Sequence, residues 1–274
     1  CQKKKIPLIL LNARITVNSY NKWKVIPYTA KKLFQSFDIC FSQNQETRKY
    51  LKNLGAKKIK FLGNLKFSES KSQKNYNFHN KLKKIFKYKR IWCAASTHNS
   101  EEKICALAHK KLKIQYKNLL TIIIPRHIQR TNNIINEIKD LDLNVQIRSA
   151  NNKISKNTDI YLVDTFGETE SFLKLSKTTF MGKSIYAHGG QNPLEAARLG
   201  NRIIHGPNIE NFEEVYDFLK KHGISSKINS LKDLRELIVK FDRKKNYSQQ
   251  IIKKLSYTGN QILLNNEKEI NKYF

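Results

Sequence analysis

The stretch RIWCAASTHNSEEKICALAHKKLKIQYKNLLTIIIPRH, Arg90–His127, decides the fold class. Arg90–Ala95 and Leu119–Ile124 are apolar runs of strand length, and the second is too continuous to have a solvated face. Between them, Ser100–Gln115 has the length and mixed polarity of a surface helix. A strand, a helix and a strand of these lengths imply two parallel strands joined by a right-handed crossover.

The same alternation runs outward in both directions. Toward the C-terminus, the expected elements are helix Arg130–Leu141, strands Asn144–Arg148 and Asp159–Val163, a helix near Thr169–Ser176 and strand Thr178–Met181. A helix Asn192–Leu199, strand Arg202–His205 and helix Glu210–His222 follow, with a basic helix from Lys244 onward. Toward the N-terminus, Ile6–Leu11, Phe37–Phe41 and Lys58–Leu62 are strand-like, and a helix between the last two ends at Gly55. Ser42 with Gln45 three residues on predicts a capping box for that helix. The polar Lys66–Lys89 segment is expected to be a linker and the first helix of a second domain. The fold class is therefore α/β, with doubly wound parallel sheets and ligands at the C-terminal strand ends.

Composition narrows the class further. With 39% hydrophobic residues, 12 Tyr and 14 Phe, the chain has material for a folded core. Its longest apolar runs, Ile6–Leu11 and Leu119–Pro125, fall far below the roughly 20 residues of a membrane span. Lys3–Lys5 precede only a short apolar patch, so no signal peptide is expected. Cys1 stands where an initiator Met would, ahead of a strand, which leads to the expectation of an N-terminal truncation. Cys1, Cys40, Cys93 and Cys105 form no C-x-x-C pair and have no His at zinc spacing; they are expected as small buried hydrophobes. No Asp-x-Asp or His cluster suggests a metal, and neither metal nor cofactor is expected. Fifty-two Lys and Arg against 22 Asp and Glu leave a net charge of +30, which attracts polyanions: nucleic acid, anionic headgroups or phosphorylated substrates. There is no helix-turn-helix, zinc-knuckle or aromatic RNA-binding strand signature, which argues against a nucleic-acid-binding protein.

Four segments lie just after expected strands. Gly189-Gly190 before Asn192-Pro193-Leu194-Glu195 lets a ligand approach the backbone. Asn192 is expected at N-cap, Pro193 at N1 and Glu195 at N3, either as a plain helix start or as an anion site whose carboxylate reaches sugar hydroxyls. Pro125-Arg126-His127 ends a buried strand; Arg126 is either an ordinary exposed residue or a bidentate phosphate ligand. Asp164-Thr165-Phe166-Gly167-Glu168 is either a cap, with Thr165 at N-cap and Glu168 at N3, or a turn on which a base rests. Ala94-Ala95-Ser96-Thr97-His98 opens a helix with hydroxyls at its mouth. All four fall on one rim of one sheet, which favours a nucleotide site over four unrelated caps.

Together with Asn12-Ala13-Arg14 and Leu62-Gly63-Asn64-Leu65-Lys66-Phe67, these motifs closely resemble, in order, the 3-deoxy-D-manno-octulosonic acid (Kdo) transferases of Gram-negative bacteria. The resemblance runs from about Pro7 to Phe218 and implies a GT-B glycosyltransferase of two Rossmann-like domains. It implies residues 1–67 as an incomplete acceptor-side domain, 68–245 as the CMP-Kdo domain and 246–274 as a helix packing back toward the first. It further implies transfer of Kdo from CMP-Kdo to the lipid A precursor, in lipopolysaccharide core synthesis at the cytoplasmic face of the inner membrane. CMP would be held by Pro125 and Arg126, by Phe166, Gly167 and Glu168, and by Asn192, Pro193, Leu194 and Glu195. The family's general-base Glu and its membrane-anchoring helix precede the segment at which this chain starts, so no catalytic residue is expected here. Two positions depart from the family: Phe166 replaces Met, and Gly182-Lys183-Ser184 replaces Gly-Gly-Ser. Lys183 either adds a cation near the Kdo carboxylate or faces solvent. A GT-B enzyme with another nucleotide-sugar donor is the alternative.

Overall fold

Seven strands of one parallel sheet carry the larger part of the chain. The structure, a computed structural model, describes residues 6–68, 76–150, 155, 157–242 and 247–274. The chain divides into two compact units, Cys1–Lys71 with Lys254–Phe274, and Ser72–Lys253.

In the first unit, β1 (Ile9–Ala13), β2 (Ile39–Ser42) and β3 (Ile59–Phe61) form a parallel sheet in that order. Helices α1 (Val17–Val25), α2 (Pro27–Gln35) and α3 (Gln45–Asn53) connect them. Ala13, Ala30, Phe34, Cys40, Leu51 and Leu54 share one core. The capping box expected at Ser42 is not formed. Ser42 ends β2, and Asn44 caps α3 instead, its Oδ1 accepting from the Thr47 N–H at 2.8 Å. Strand hydrogen bonding extends one residue past the apolar run, so the cap falls two positions later. Helix α1 lay outside the sequence expectation because it buries no residue and offers no apolar stripe; α2, which buries Ala30 and Phe34, was also not expected.

Helix α11 (Tyr247–Ile270) returns to this unit from Lys254 onward. Gly259 passes so close to the Phe67 carbonyl that any Cβ would collide with it, and a Cβ on Gly63 would meet Ile262 at 2.8 Å. Lys60 Nζ pairs with Glu269 at 2.5 Å. The expected helix start at Lys244 lies outside the described residues, as does part of the expected Lys66–Lys89 linker.

In the second unit, α4 (Tyr76–Ile85) precedes β4 (Arg90–Thr97), α5 (Glu101–Lys113) and β5 (Leu119–Pro125). Then come α6 (Thr131–Ile138), β6 (Val145–Ile147), β7 (Ile160–Leu162), α7 (Thr169–Leu173) and β8 (Thr178–Met181). The unit ends with α8 (Leu194–Arg198), β9 (Arg202–His205), α9 (Glu213–Lys221), β10 (Ser225–Lys227) and α10 (Leu231–Asp242). The sheet order is β10-β9-β8-β4-β5-β7-β6, every pair parallel. β4 has β5 on one side and β8 on the other, so the order reverses there and opens a crevice above its C-terminal end. All seven residues of β5 are buried, as a strand covered on both faces must be. Trp92, Leu112, Ile123, Ile134, Leu162, Phe180, Ile204 and Leu234 belong to one continuous core.

Cys40, Cys93 and Cys105 are buried and free. Burial alone pushes Cys40 up to about 11, and pushes Cys93 up to about 12 against a weak pull from Ser176. Neither is a nucleophile at neutral pH. Among the described residues no helix is long and apolar enough to cross a membrane.

Candidate functional site

Five loops meet at the C-terminal edge of the large sheet, after β4, β5, β7, β8 and β9. The loop after β8 is fixed from behind by Glu101, in the first turn of α5. Its fully buried carboxylate accepts from the N–H groups of Lys183 (2.7 Å), Ser184 (2.9 Å), Ile185 (3.0 Å) and His98 (2.9 Å). Burial pushes this carboxyl above its usual range, and the four N–H groups pull the other way. Ser184 adds a second tie. Its Oγ donates to the Met181 carbonyl at 2.6 Å and accepts from the Gly206 N–H at 2.9 Å. Gly182 and Gly206 lie against the backbones of Ser96 and Ser184 with no room for a side chain. The loops after β4, β8 and β9 are thus one interlocked block.

The front of the β8 loop is bound differently from the expectation. Helix α8 starts at Leu194, not at Pro193, because Pro193 adopts the N-cap position and lends no side-chain cap. Asn192 still accepts from the Leu194 N–H at 3.1 Å, and Glu195 sits at N2, not N3, with its side chain exposed. Gly190 N–H donates to the Lys183 carbonyl at 3.1 Å, and Gly189 N–H to the Glu210 carboxylate at 2.7 Å. Those two groups are therefore taken, and the anion donors expected around Gly190–Asn192 reduce to the N–H groups of Gln191 and Asn192. The five-residue helix contributes only a small dipole. Pro193 and Leu194 are buried, as is Pro125, so these three present backbone at most.

On the β5 side, the Arg126 N–H donates to the Thr97 carbonyl at 3.0 Å, while its guanidinium is exposed and has no ion pair among the described residues. Next to it the His98 and His127 rings stack at 5.5 Å, 10° from parallel. His98 is held below its usual range, first by burial, then by His127, Lys183, Arg130 and Arg126. Those neighbours set the electrostatics: cations from the loops after β5 and β8 converge on His98, in the loop after β4. Arg130 is occupied by Glu102 at 2.9 Å, whereas Lys183 has no ion pair among the described residues. Lys183 adopts φ +57°, the left-handed region that favours glycine. Thr97 adds a buried hydroxyl with no hydrogen-bond partner among the described residues.

The turn after β7 has a clasp that sequence inspection missed. Arg148 grips Glu168 with two hydrogen bonds of 3.0 Å, and Thr165 Oγ1 donates to the same carboxylate. Ser149 donates to Asp164 through its N–H (2.9 Å) and hydroxyl (2.6 Å). The expected Thr165–Glu168 box exists as a side-chain contact, but α7 begins at Thr169, with Glu168 at N-cap and no cap bond. Glu168 is thus committed to bracing the turn. Phe166 projects from it, 76% exposed, and Gly167 has φ +78° with open space around it. Replacing Arg148 by Ala should speed amide exchange across residues 164–168 about tenfold, equivalent to about 1.4 kcal/mol; hydrogen exchange measured by mass spectrometry checks this.

Glu101 and Arg148 were not singled out from the sequence. A weak signal existed for the first, since His98 and Glu101 stand three apart as a box does. No local pattern links Arg148 to Glu168.

Residues 1–69 match the family described as 3-deoxy-D-manno-octulosonic-acid transferase (kdotransferase). The Kdo transferase of Haemophilus influenzae is 29% identical over 264 residues, 95% of this chain and 61% of that protein. Those of Rickettsia typhi and Aquifex aeolicus are each 32% identical, covering 83% of this chain and 49% and 58% of theirs. The chain is a relative of the Kdo transferases. It spans roughly half to three fifths of the length of these curated relatives. Among solved structures, the C-terminal CMP-Kdo binding domain of WaaA from Acinetobacter baumannii has a TM-score of 0.60 at 23% identity, covering 68% of this chain and 96% of that one. A putative UDP-N-acetylglucosamine 2-epimerase from Listeria monocytogenes reaches 0.59 at 14% identity, covering 99% of this chain and 70% of the other. The trehalose-6-phosphate synthase OtsA reaches 0.54 at 10% identity, with 99% and 68% covered. These likenesses give the fold, which is the α/β architecture with parallel sheets of the GT-B glycosyltransferases.

Proposed function

We propose that this chain carries the donor-binding part of a glycosyltransferase that moves Kdo from CMP-Kdo to the lipid A precursor. The observation that carries this reading is the convergence of Arg126, His98, His127 and Lys183 at the crevice above β4. A nucleoside monophosphate ester of an acidic sugar brings two negative groups, the phosphodiester and the sugar carboxylate, and this rim offers cations for both. Arg126 pairs with the phosphate through parallel N–H bonds and stabilises the charge that grows as CMP departs. Lys183 lies nearest the Kdo carboxylate. The exposed face of Phe166 and the backbone of Gly167 and Glu168 receive the base, and Asn192 and Glu195 the ribose. Pro125, Pro193 and Leu194 shape the backbone around them. In this scheme residues 68–245 form the donor domain, 1–67 belong to the acceptor side and 246–274 pack back toward it.

The acceptor is a phosphorylated lipid, and the net charge of +30 suits the cytoplasmic face of the inner membrane, to which this chain binds peripherally. Val25, Ile26 and Tyr28 stand exposed between Lys22, Lys24, Lys31 and Lys32 at the junction of α1 and α2, a composition that favours an anionic interface.

Calorimetric titration with CMP tests the donor assignment. The Arg126→Ala chain should bind CMP about 10- to 100-fold more weakly, the loss of a charge-assisted pair worth about 1.5–3 kcal/mol. Unchanged affinity would remove Arg126 from the phosphate, and equal binding of UDP and CMP would overturn the choice of donor.

A further inference from the structure

A groove of about 610 Å3 runs between α5 and α10, on the outer surface of the second unit. Its α10 wall is a single stripe: Lys232, Arg235, Glu236, Val239 and Lys240 follow the i, i+3, i+4, i+7, i+8 spacing of one helix face. From Lys232 to Lys240 that stripe is about 12 Å long at 1.5 Å per residue, two helical turns. The α5 wall supplies Lys111 opposite, and Leu112 and Val239 give the floor an apolar strip.

The charge along these walls is one-sided. Four cations line the groove against one carboxylate, and among the described residues Glu236 pairs only with Lys232, at 4.0 Å. Lys111, Arg235 and Lys240 have no ion pair among the described residues. Arg235 also holds its Nε–H buried without a hydrogen-bond partner there, a donor that costs stability unless something accepts from it. Two helical rails, an apolar floor and unpaired cations above it are the complement of one kind of ligand. We propose that the α5–α10 groove docks an acidic amphipathic helix of a partner protein, its apolar face on Leu112 and Val239 and its carboxylates on Lys111, Arg235 and Lys240. None of the groove's lining residues is among those proposed to hold the nucleotide sugar, so this assignment stands independently of that reading.

A chain of this charge binds any polyanion, so the test compares peptides of identical composition. One labelled peptide places Leu at i, i+3, i+4 and i+7 with Glu along both edges of that stripe; the other is a scramble without that period. Fluorescence anisotropy with the full chain at physiological ionic strength should show the amphipathic peptide binding at least about tenfold more tightly than the scramble. The double change Lys111→Glu with Lys240→Glu, at two exposed positions, should abolish that preference. Lys22→Glu with Lys24→Glu, equal in charge but on α1, should leave it intact. Equal binding of the two peptides, or a preference that survives the groove double variant, overturns the proposal. It is likewise overturned if the groove variant loses binding to phosphatidylglycerol vesicles while its peptide preference is unchanged.

Discussion

Replacing Glu101 by Ala is expected to destabilise the second unit by about 3–5 kcal/mol, because a buried charged acceptor disappears and leaves its donors unpaired. Four backbone N–H groups, those of His98, Lys183, Ser184 and Ile185, converge on this one side chain. Water does not replace the carboxylate easily at a position with no solvent exposure. For a domain of this size the loss corresponds to a drop in melting temperature of roughly 10 °C or more. Glu101→Gln should fall between the two. Oε1 serves Ser184 and Ile185 while Oε2 serves His98 and Lys183, so the amide retains one pair of bonds and turns an N–H toward the other. Urea unfolding at constant slope measures both variants. If Glu101→Ala unfolds at the wild-type midpoint, the carboxylate is not what holds the loop.

Acid should weaken the fold from about pH 6.5 downward. His109 is fully buried between Thr121, at 2.9 Å from Nδ1, and Asp159, at 3.4 Å from Nε2; burial, with Lys113 and Lys89 nearby, lowers it to about 4 despite the Asp159 charge. His205, its Nδ1 2.7 Å from the Gly206 carbonyl and its ring against Tyr216, is also lowered to about 4, chiefly by burial. Above about pH 6.5 both rings are neutral in the folded and unfolded chain and contribute nothing to the pH dependence. As the pH falls through 6.5 the unfolded chain takes up protons that the folded chain refuses, so stability declines until about pH 4. At pH 5 the loss is about 2 kcal/mol for each histidine, or about 4 kcal/mol for the pair. Asp159 sits below its usual range: burial acts against this, but Lys113, Asn144 and His109 outweigh it, so its own contribution is lost only at lower pH. Glu101, raised by burial, works in the opposite sense and offsets part of the decline. The double variant His109→Gln with His205→Gln should flatten the urea midpoint between pH 7 and 5. If wild type and variant decline with the same slope, these histidines are not the cause.

The strands of the large sheet were legible because β4, β5 and β8 are apolar runs closed by Gly, Pro or hydroxyl residues. Helix starts were less so. At Ser42, Thr165 and Asn192 the right residue types stand at cap spacing, yet each helix begins one to three residues later than such a cap would place it. Strand pairing claims Ser42, the Arg148 clasp claims Glu168, and Pro193 takes the N-cap position itself. Strand β10 escaped notice because Ser225–Lys227 has no apolar pattern and owes its place to pairing with β9. The candidate rim was legible as a coincidence of four motifs. What local sequence did not carry was the support: Glu101 reaches over eighty positions along the chain to residues 183–185, a relation that only the folded sheet creates.

The interlocking of the loops around Ser184 has a thermodynamic consequence for whatever enters the crevice. Backbone torsions from Met181 to Gly190 are fixed when the domain folds, so a ligand meets walls whose configurational freedom is already gone. Association there should be fast and little changed in backbone position, with the remaining ordering confined to the long Arg126 and Lys183 side chains and to the ring of Phe166. Selectivity at such a surface resides in the shape of the cast more than in its capacity to adapt.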